Sequence, residues 1–363
     1  MSRVLLALIV SAALFAAAPS ALGAPPIKHV FTIVLENKGY DETFGPSSPA
    51  KYLSRTLPSQ GALLTQYYGT AHHSLANYIA MASGQSPTPD TQADCPLYRD
   101  FLPGTPTSDG QYVGQGCVYP AQVKTIADQL DARGLGWKGY MEDMGNAPGE
   151  SATCAHPAFN TPDQTQSARP GDGYAAKHDP FVYFHSLLDS GSCDRNVVAL
   201  SKLTTDLQSA ATTPSYAFIT PNLCNDGHDY PCTNQPSGAS ALADIDAFLE
   251  TWVPKITAAQ AYKENGLIEI VFDEAANSET EACCEEQPGP GSPLPGITGP
   301  GGGRVGAVLL SPFIKAGTVS ATSYNHYSSL ATWETLFGVG RLAYAATVPS
   351  LFGADVFTAA PHR

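Results

Sequence analysis

Basic residues are scarce in this chain. Only 19 Lys and Arg stand against 33 Asp and Glu in 363 residues, a formal net charge of −14. No run of Lys or Arg occurs, which argues against a nucleic-acid-binding surface. No internal repeat is present, and Gly shows no triplet period, so a collagen-like chain is excluded. Charged residues make up only 14% and hydrophobic ones 43%. That is too apolar for a disordered chain, and the length suffices for a sizeable core. Beyond the first residues no window is long and apolar enough to span a bilayer. No Cys-x-x-Cys pair occurs, which disfavours a zinc cage.

What is present begins with Arg3, the apolar run Val4 to Ala18, and the small residues Ala21, Gly23 and Ala24. This pattern predicts a secretory signal peptide over residues 1–23, cut after Gly23 or Ala24. The run is short for a membrane anchor, and no Cys follows it to carry a lipid. The expectation is therefore a secreted or periplasmic protein without a stable membrane anchor, formed by a single domain over 24–363. All eight cysteines (Cys95, Cys117, Cys154, Cys193, Cys224, Cys232, Cys283, Cys284) lie beyond the leader. An even count in an oxidising compartment points to disulfides. Proximity favours Cys95–Cys117, Cys154–Cys193 and Cys224–Cys232, while the adjacent Cys283 and Cys284 defeat any simple rule.

Four apolar runs read as buried strands: 29–35, 215–219, 267–272 and 305–310. Near-continuous apolar runs suit a parallel sheet covered on both faces. Helical stretches are expected at 74–83, 123–132, 238–252 (closed by Pro254) and 328–337. Strands alternating with helices predict an α/β fold, a central mainly parallel sheet flanked by helices. Residues 85–122 and 145–180 are rich in Gly, Pro, Ser and Thr and hold several cysteines. They read as long disulfide-bearing loops over one edge of the sheet. Residues 285–303 read as a turn-rich connector.

The polar residues that follow the strands carry the functional signal. Open α/β sheets bind ligands beyond the carboxyl ends of their strands. Glu36-Asn37, Asn222 and Asp273-Glu274 fall there. Acids meeting at one edge repel one another unless a cation sits among them, and oxygen ligands suit a hard divalent ion. Ser74 stands at the start of a helix, where free N–H groups and the helix dipole favour an anion. It fits a nucleophile that attacks phosphorus, or simply a helix cap. Asn77, three residues on, can donate to a phosphate oxygen. His228, in Cys224-Asn-Asp-Gly-His228-Asp229, can protonate a leaving group, or belong to a loop closed by a disulfide. His326 precedes a helix and fits either a ligand or a cap.

Together these motifs resemble a known family. Leu35-Glu36-Asn37-Lys-Gly-Tyr40-Asp41-Glu-Thr-Phe-Gly45 is similar to the first block of the bacterial phosphoesterase family, of acid phosphatase and phospholipase C type, in the alkaline phosphatase superfamily. His73-Ser74-Leu-Ala-Asn77-Tyr78, Asn222 to Asp229, Asp273-Glu274, and Ser311-Pro312 through His326 to Gly338 match later blocks in order. The resemblance implies an alkaline-phosphatase-like fold. It implies Glu36, Asn37, Ser74, Asp273 and Glu274 at a metal, Ser74 as nucleophile, and Asn77 and His228 on the phosphoryl group. His73, Asn222, Asp226 and His326 become candidates for phosphate or metal support. Where two-zinc members place Asp-x-x-x-His, this chain has Asp226-Gly-His228, and Asp-Glu rather than Asp-His follows the third strand. One divalent ion (Ca, Mg, Mn or Zn) is expected. The first block departs from that of the larger phospholipases C, and the chain stops soon after the last block. The expected substrate is thus a phosphate monoester, with a diester or phospholipid as the alternative. A non-catalytic binding protein of the same fold is a more distant reading. Oligomeric state is not readable.

Overall fold

The apolar runs become the middle of one sheet. The computed structural model describes residues 25–233, 238–285, 287–358 and 360–361, so the expected leader lies outside the described residues. The eight strands are β1 (His29–Leu35), β2 (Ala62–Leu64), β3 (Trp137–Met141), β4 (Val197–Ala199), β5 (Tyr216–Thr220), β6 (Gly266–Phe272), β7 (Ala307–Leu310) and β8 (Thr318–Ser320). Their order across the sheet is β8-β2-β7-β6-β1-β5-β3-β4. The neighbours from β6 to β4 pair in parallel, and β7 runs against β6 and β2. A parallel partner needs a crossover, usually helical. The Gly- and Pro-rich segment between β6 and β7 forms no helix among its described residues, and the chain returns antiparallel.

Strands β5, β6 and β7 are buried at every position. Four helices of eight residues or more flank the sheet: α1 (Ser74–Ser83), α2 (Ile126–Arg133), α3 (Ala241–Ala258) and α4 (His326–Phe337). Helices α1, α2 and α4 pack against one another. Gly84, Gly134 and Gly338 end these three in the left-handed conformation that glycine adopts without strain. Helix α3 does not stop before Pro254 as expected. Val253 and Ile256 continue its buried stripe, and Pro254 lies inside it.

The first two long loops carry small ribbons, including an antiparallel hairpin of Leu102–Pro106 with Tyr112–Gln115. Disulfides join Cys95–Cys117, Cys154–Cys193 and Cys224–Cys232, the three pairs that proximity favours. The adjacent Cys283 and Cys284 bond to each other.

A polar chain crosses the core. Glu269, buried in β6, accepts hydrogen bonds from Thr32 Oγ1 at 3.0 Å and Ser329 Oγ at 2.5 Å. Ser329 Oγ lies 2.7 Å from the Tyr67 hydroxyl, which lies 3.2 Å from His326 Nδ1. His326 Nε2 is 2.5 Å from the backbone carbonyl of Asp273.

Candidate active site

Parallel register brings three strand ends together. Leu35 of β1 sits beside Phe272 of β6, and Ile33 beside Ile219 of β5. The residues that follow these strands are therefore neighbours. The Glu36 N–H donates to the Asp226 carbonyl, and the Asp273 N–H donates to the Leu35 carbonyl, each at 2.9 Å. Asn37 adopts a left-handed φ of 59°. In that conformation its N–H donates to Asp273 Oδ1 at 3.1 Å and its Nδ2 to Glu36 Oε2 at 3.0 Å.

Ser74 is the first residue of α1, with His73 at the cap position. Its Oγ donates to Glu36 Oε2 at 2.9 Å. One turn later, the Tyr78 hydroxyl donates to Glu36 Oε1 at 2.7 Å. Helical spacing thus aims both side chains at one carboxylate. Glu36, Asn37, Ser74 and Asp273 form one bonded group. Glu274 lines the same cavity, but its Oε2 turns to Nδ1 of the buried His72. The cavity measures about 450 Å³, and Asn37, His73, Ser74, Asp94, His228 and Glu274 line it.

Two expected contacts are corrected. Asn77 does not reach the cavity. Its Oδ1 accepts from Thr70 N, Thr70 Oγ1 and Ala71 N, and its Nδ2 donates to the Ala71 and His73 carbonyls. Every hydrogen-bonding position of the amide is spent on holding the loop before α1. Asn222 likewise serves its own turn. Its Oδ1 accepts from the N–H groups of Cys224 and Asn225, and its Nδ2 donates to Asp143. An Asx turn of this kind satisfies the backbone that leaves β5. His326 stands behind Asp273, holding its carbonyl, while Asn325 caps α4. Burial pushes the His326 imidazole down to about 4.

The loop over the sheet edge contributes two residues that sequence reasoning missed, Lys177 and His178. They sit on a short turn, Ala176–His178, with no periodicity to mark it. His178 is buried, with Nδ1 3.1 Å from Asp226 Oδ2 and Nε2 3.3 Å from Glu36 Oε1. Burial, then the charges of Lys177 and His228, hold its pKa well below the usual value, so the ring is neutral. With its proton on Nδ1 facing Asp226, Nε2 presents a lone pair to the Glu36 carboxylate. His228 Nδ1 is 2.7 Å from Asp229 Oδ1, and its Nε2 accepts from the Lys177 ammonium at 3.0 Å. Glu36, His178 and His228 each offer one ligand atom, all within 4.8 Å of one another.

The electrostatics are those of a crowded set of acids. Burial, then Asp273 and Asp226, raises Glu36 well above the usual carboxylate range. Burial and Asp273 raise Glu274 likewise. Burial pushes Asp273 up to about 6 even though the Asn37 N–H hydrogen-bonds it. Two buried acceptor atoms, Asp273 Oδ2 and His178 Nε2, have no hydrogen-bond donor among the described residues. Unsatisfied lone pairs beside clustered carboxylates are costly unless a cation fills the gap, so the donor set fits a divalent ion.

Known proteins bear on this geometry. A model of the phosphoesterase family matches residues 49–340. A probable acid phosphatase of Kluyveromyces lactis is 28% identical over 318 residues, covering 87% of this chain and 59% of that protein. A phosphatidylinositol-3-phosphatase of Mycobacterium tuberculosis is 23% identical over 327 residues, covering 90% of this chain and 82% of that protein. The chain spans a little over half the length of the acid phosphatases it matches. Among solved structures, a protein in the alkaline phosphatase superfamily from Vibrio parahaemolyticus superposes with a TM-score of 0.49 at 13% identity, covering 88% of this chain and 69% of that one.

Proposed function

We propose, from the premise that this chain belongs to the phosphoesterase family, that it is an exported phosphomonoesterase acting through a phosphoserine at Ser74. The observation that carries this reading is the bond from Ser74 Oγ to Glu36 Oε2, 2.9 Å long, at the first residue of α1. A hydroxyl so placed has a carboxylate within reach to take its proton, and the positive end of the α1 dipole beside it to favour an anion. The names of the relatives, acid phosphatase and phosphatidylinositol-3-phosphatase, support a phosphate monoester as substrate.

Glu36, Asp273 and the Nε2 atom of His178 would hold one divalent ion, with the Nε2 of His228, 3.0 Å from the Lys177 ammonium, beside them. Such an ion supplies positive charge that acidifies the Ser74 hydroxyl and polarises the phosphate. The remaining work belongs to the chain. Glu36 accepts the proton as Ser74 Oγ bonds to phosphorus and the ester oxygen leaves. Tyr78 and Asn37, which both donate to Glu36, keep its carboxylate aimed at Ser74. His228, held by Asp229 and Lys177, borders the cavity, and the departing alkoxide takes its proton from solvent water. Water then attacks the phosphoserine, phosphate leaves, and Ser74 recovers its proton from Glu36. The eight cysteines are paired and no described helix is long and apolar enough to cross a membrane, which fits export behind the expected leader.

The test is direct. The purified protein, acid-quenched during turnover of nitrophenyl phosphate, should carry phosphate on the peptide containing Ser74. A chelator should abolish turnover, and a divalent ion should restore it. Turnover without any phosphopeptide would reject the covalent route.

A further inference from the structure

Lys177 is an unusual lysine. Its side chain is only 4% exposed, yet its ammonium lies between two residues that line the cavity, 3.2 Å from Asp94 Oδ2 and 3.0 Å from His228 Nε2. An ammonium has three N–H donors. Two are spent on these partners, and the third has none among the described residues. Asp94 is itself divided, because its Oδ1 accepts from the N–H of Leu75, the residue after Ser74. Lys177, Asp94 and the start of α1 thus form one chain of contacts around the point where a phosphoryl group would be attached.

We infer that Lys177 determines the charge preference of this site. Its free N–H and its charge are directed at the phosphoryl group held by Ser74, where they pair with the second negative charge of a monoester. This rests on the phosphomonoesterase reading above and adds to it a residue that separates monoesters from diesters. Near pH 7 a monoester carries close to two negative charges and a diester one. Crowded acids surround the cavity, so an entering dianion needs a fixed cation more than a monoanion does. Lysine is a mobile point charge on a flexible stem, able to shift from Asp94 toward an entering phosphate. Burial alone would lower its pKa, but Asp94, Glu36 and Asp226 outweigh that and keep it charged.

The experiment compares nitrophenyl phosphate with bis-nitrophenyl phosphate at pH 7, using wild type, Lys177→Met and Asp94→Asn. Lys177→Met should lower kcat/KM for the monoester about 100-fold and for the diester less than about fivefold, as expected when one charge-assisted contact is lost. Asp94→Asn, which keeps an acceptor for the Leu75 N–H but releases the ammonium, should raise the monoester-to-diester ratio. Equal losses on both substrates in Lys177→Met would mean that the lysine only holds the loop, and would overturn the inference. An unchanged ratio in folded Lys177→Met would do the same. If that variant does not fold, a ratio that stays flat or falls in Asp94→Asn is decisive against it. A wild-type protein that turns over neither substrate would sink the phosphomonoesterase reading instead. Calorimetry with inorganic phosphate then decides the role of Lys177. A roughly tenfold weaker affinity in Lys177→Met supports it, and equal affinity removes it.

Discussion

Two carboxylates four residues apart at the end of one strand meet opposite treatment. Glu269, inside β6, receives a hydroxyl donor on each oxygen, from Thr32 and Ser329. Asp273, just beyond the end of β6, receives the Asn37 N–H on Oδ1, while its Oδ2 has no hydrogen-bond partner among the described residues. Both are fully buried, and burial raises both, Glu269 to about 7 and Asp273 to about 6. Glu269 stands among hydroxyls that accept either of its charge states, whereas the charge of Asp273 is felt by Glu36 and Asp226. The first arrangement is a satisfied polar network that holds elements together. The second leaves lone pairs and negative charge facing one another, an arrangement that only a bound positive group completes. Burial by itself therefore does not mark a functional acid; the supply of donors does.

The largest expected effect lies on the site's side of this contrast. Ser74→Ala should lower kcat on nitrophenyl phosphate by about three decades or more while costing no more than about 1 kcal/mol of stability. A melting curve and a rate measured on the same sample check this, and a near-wild-type rate would dissolve the distinction. Next comes a pair of variants read side by side. Asp273→Asn should lower divalent-ion affinity and activity together, about 100-fold, and leave the ion-free protein at least as stable as wild type. Glu269→Ala should strand the Thr32 and Ser329 hydroxyls and cost about 3 kcal/mol, with kcat within about threefold well below the melting temperature. If the two losses exchange places, the comparison fails.

The pH dependence sharpens it further. Asp273 holds its proton more tightly when folded, so its contribution is complete below its unfolded value of 3.8 and is lost as pH rises through about 6. The ion-free protein should therefore melt lower at pH 7 than at pH 4, by the equivalent of about 3 kcal/mol from this group. A saturating divalent ion should remove that part of the slope, and a slope indifferent to the ion would count against the site. A second slope of similar size belongs to Glu269, whose contribution is complete below 4.5 and is lost as pH rises through about 7. That slope should persist in the ion-loaded protein and vanish in Glu269→Gln, at a stability cost of about 1 kcal/mol.

Much of this was legible because local pattern and place in the fold agree. The runs 29–35 and 267–272 each end in acids, and parallel strands bring such ends together. Hence Glu36, Asn37 and Asp273 are expected at one sheet edge, and the fold sets Ser74 Oγ against Glu36. Strands β2 and β4 have three residues each, too few for periodicity to register, and β3 carries a lysine and a glycine. Asn77 and Asn222 misled because an amide that binds phosphate and one that binds backbone look the same in a sequence. Their donors and acceptors are filled by neighbours that only the folded chain supplies. Lys177 and His178 lie in a loop read only as a disulfide-bearing cover. A buried pair of basic side chains in such a segment leaves no periodic trace, and their partners Asp94, Glu36 and Asp226 are distant in sequence.

The polar chain from Glu269 to the Asp273 carbonyl also orders events during synthesis. Every side chain assigned to the site lies between residues 36 and 274, so a ribosome that has passed the end of β6 has already made all of its chemistry. Yet Ser329 and His326 belong to α4, and they complete the links that reach Asp273 from behind. Until α4 emerges and docks, β6 has no partner for Glu269 on that side and nothing to fix the Asp273 carbonyl. A nascent chain arrested at residue 310 would carry the reactive residues without the support behind them. The last helix to be made thus acts as the latch that closes an assembly begun almost 300 residues earlier.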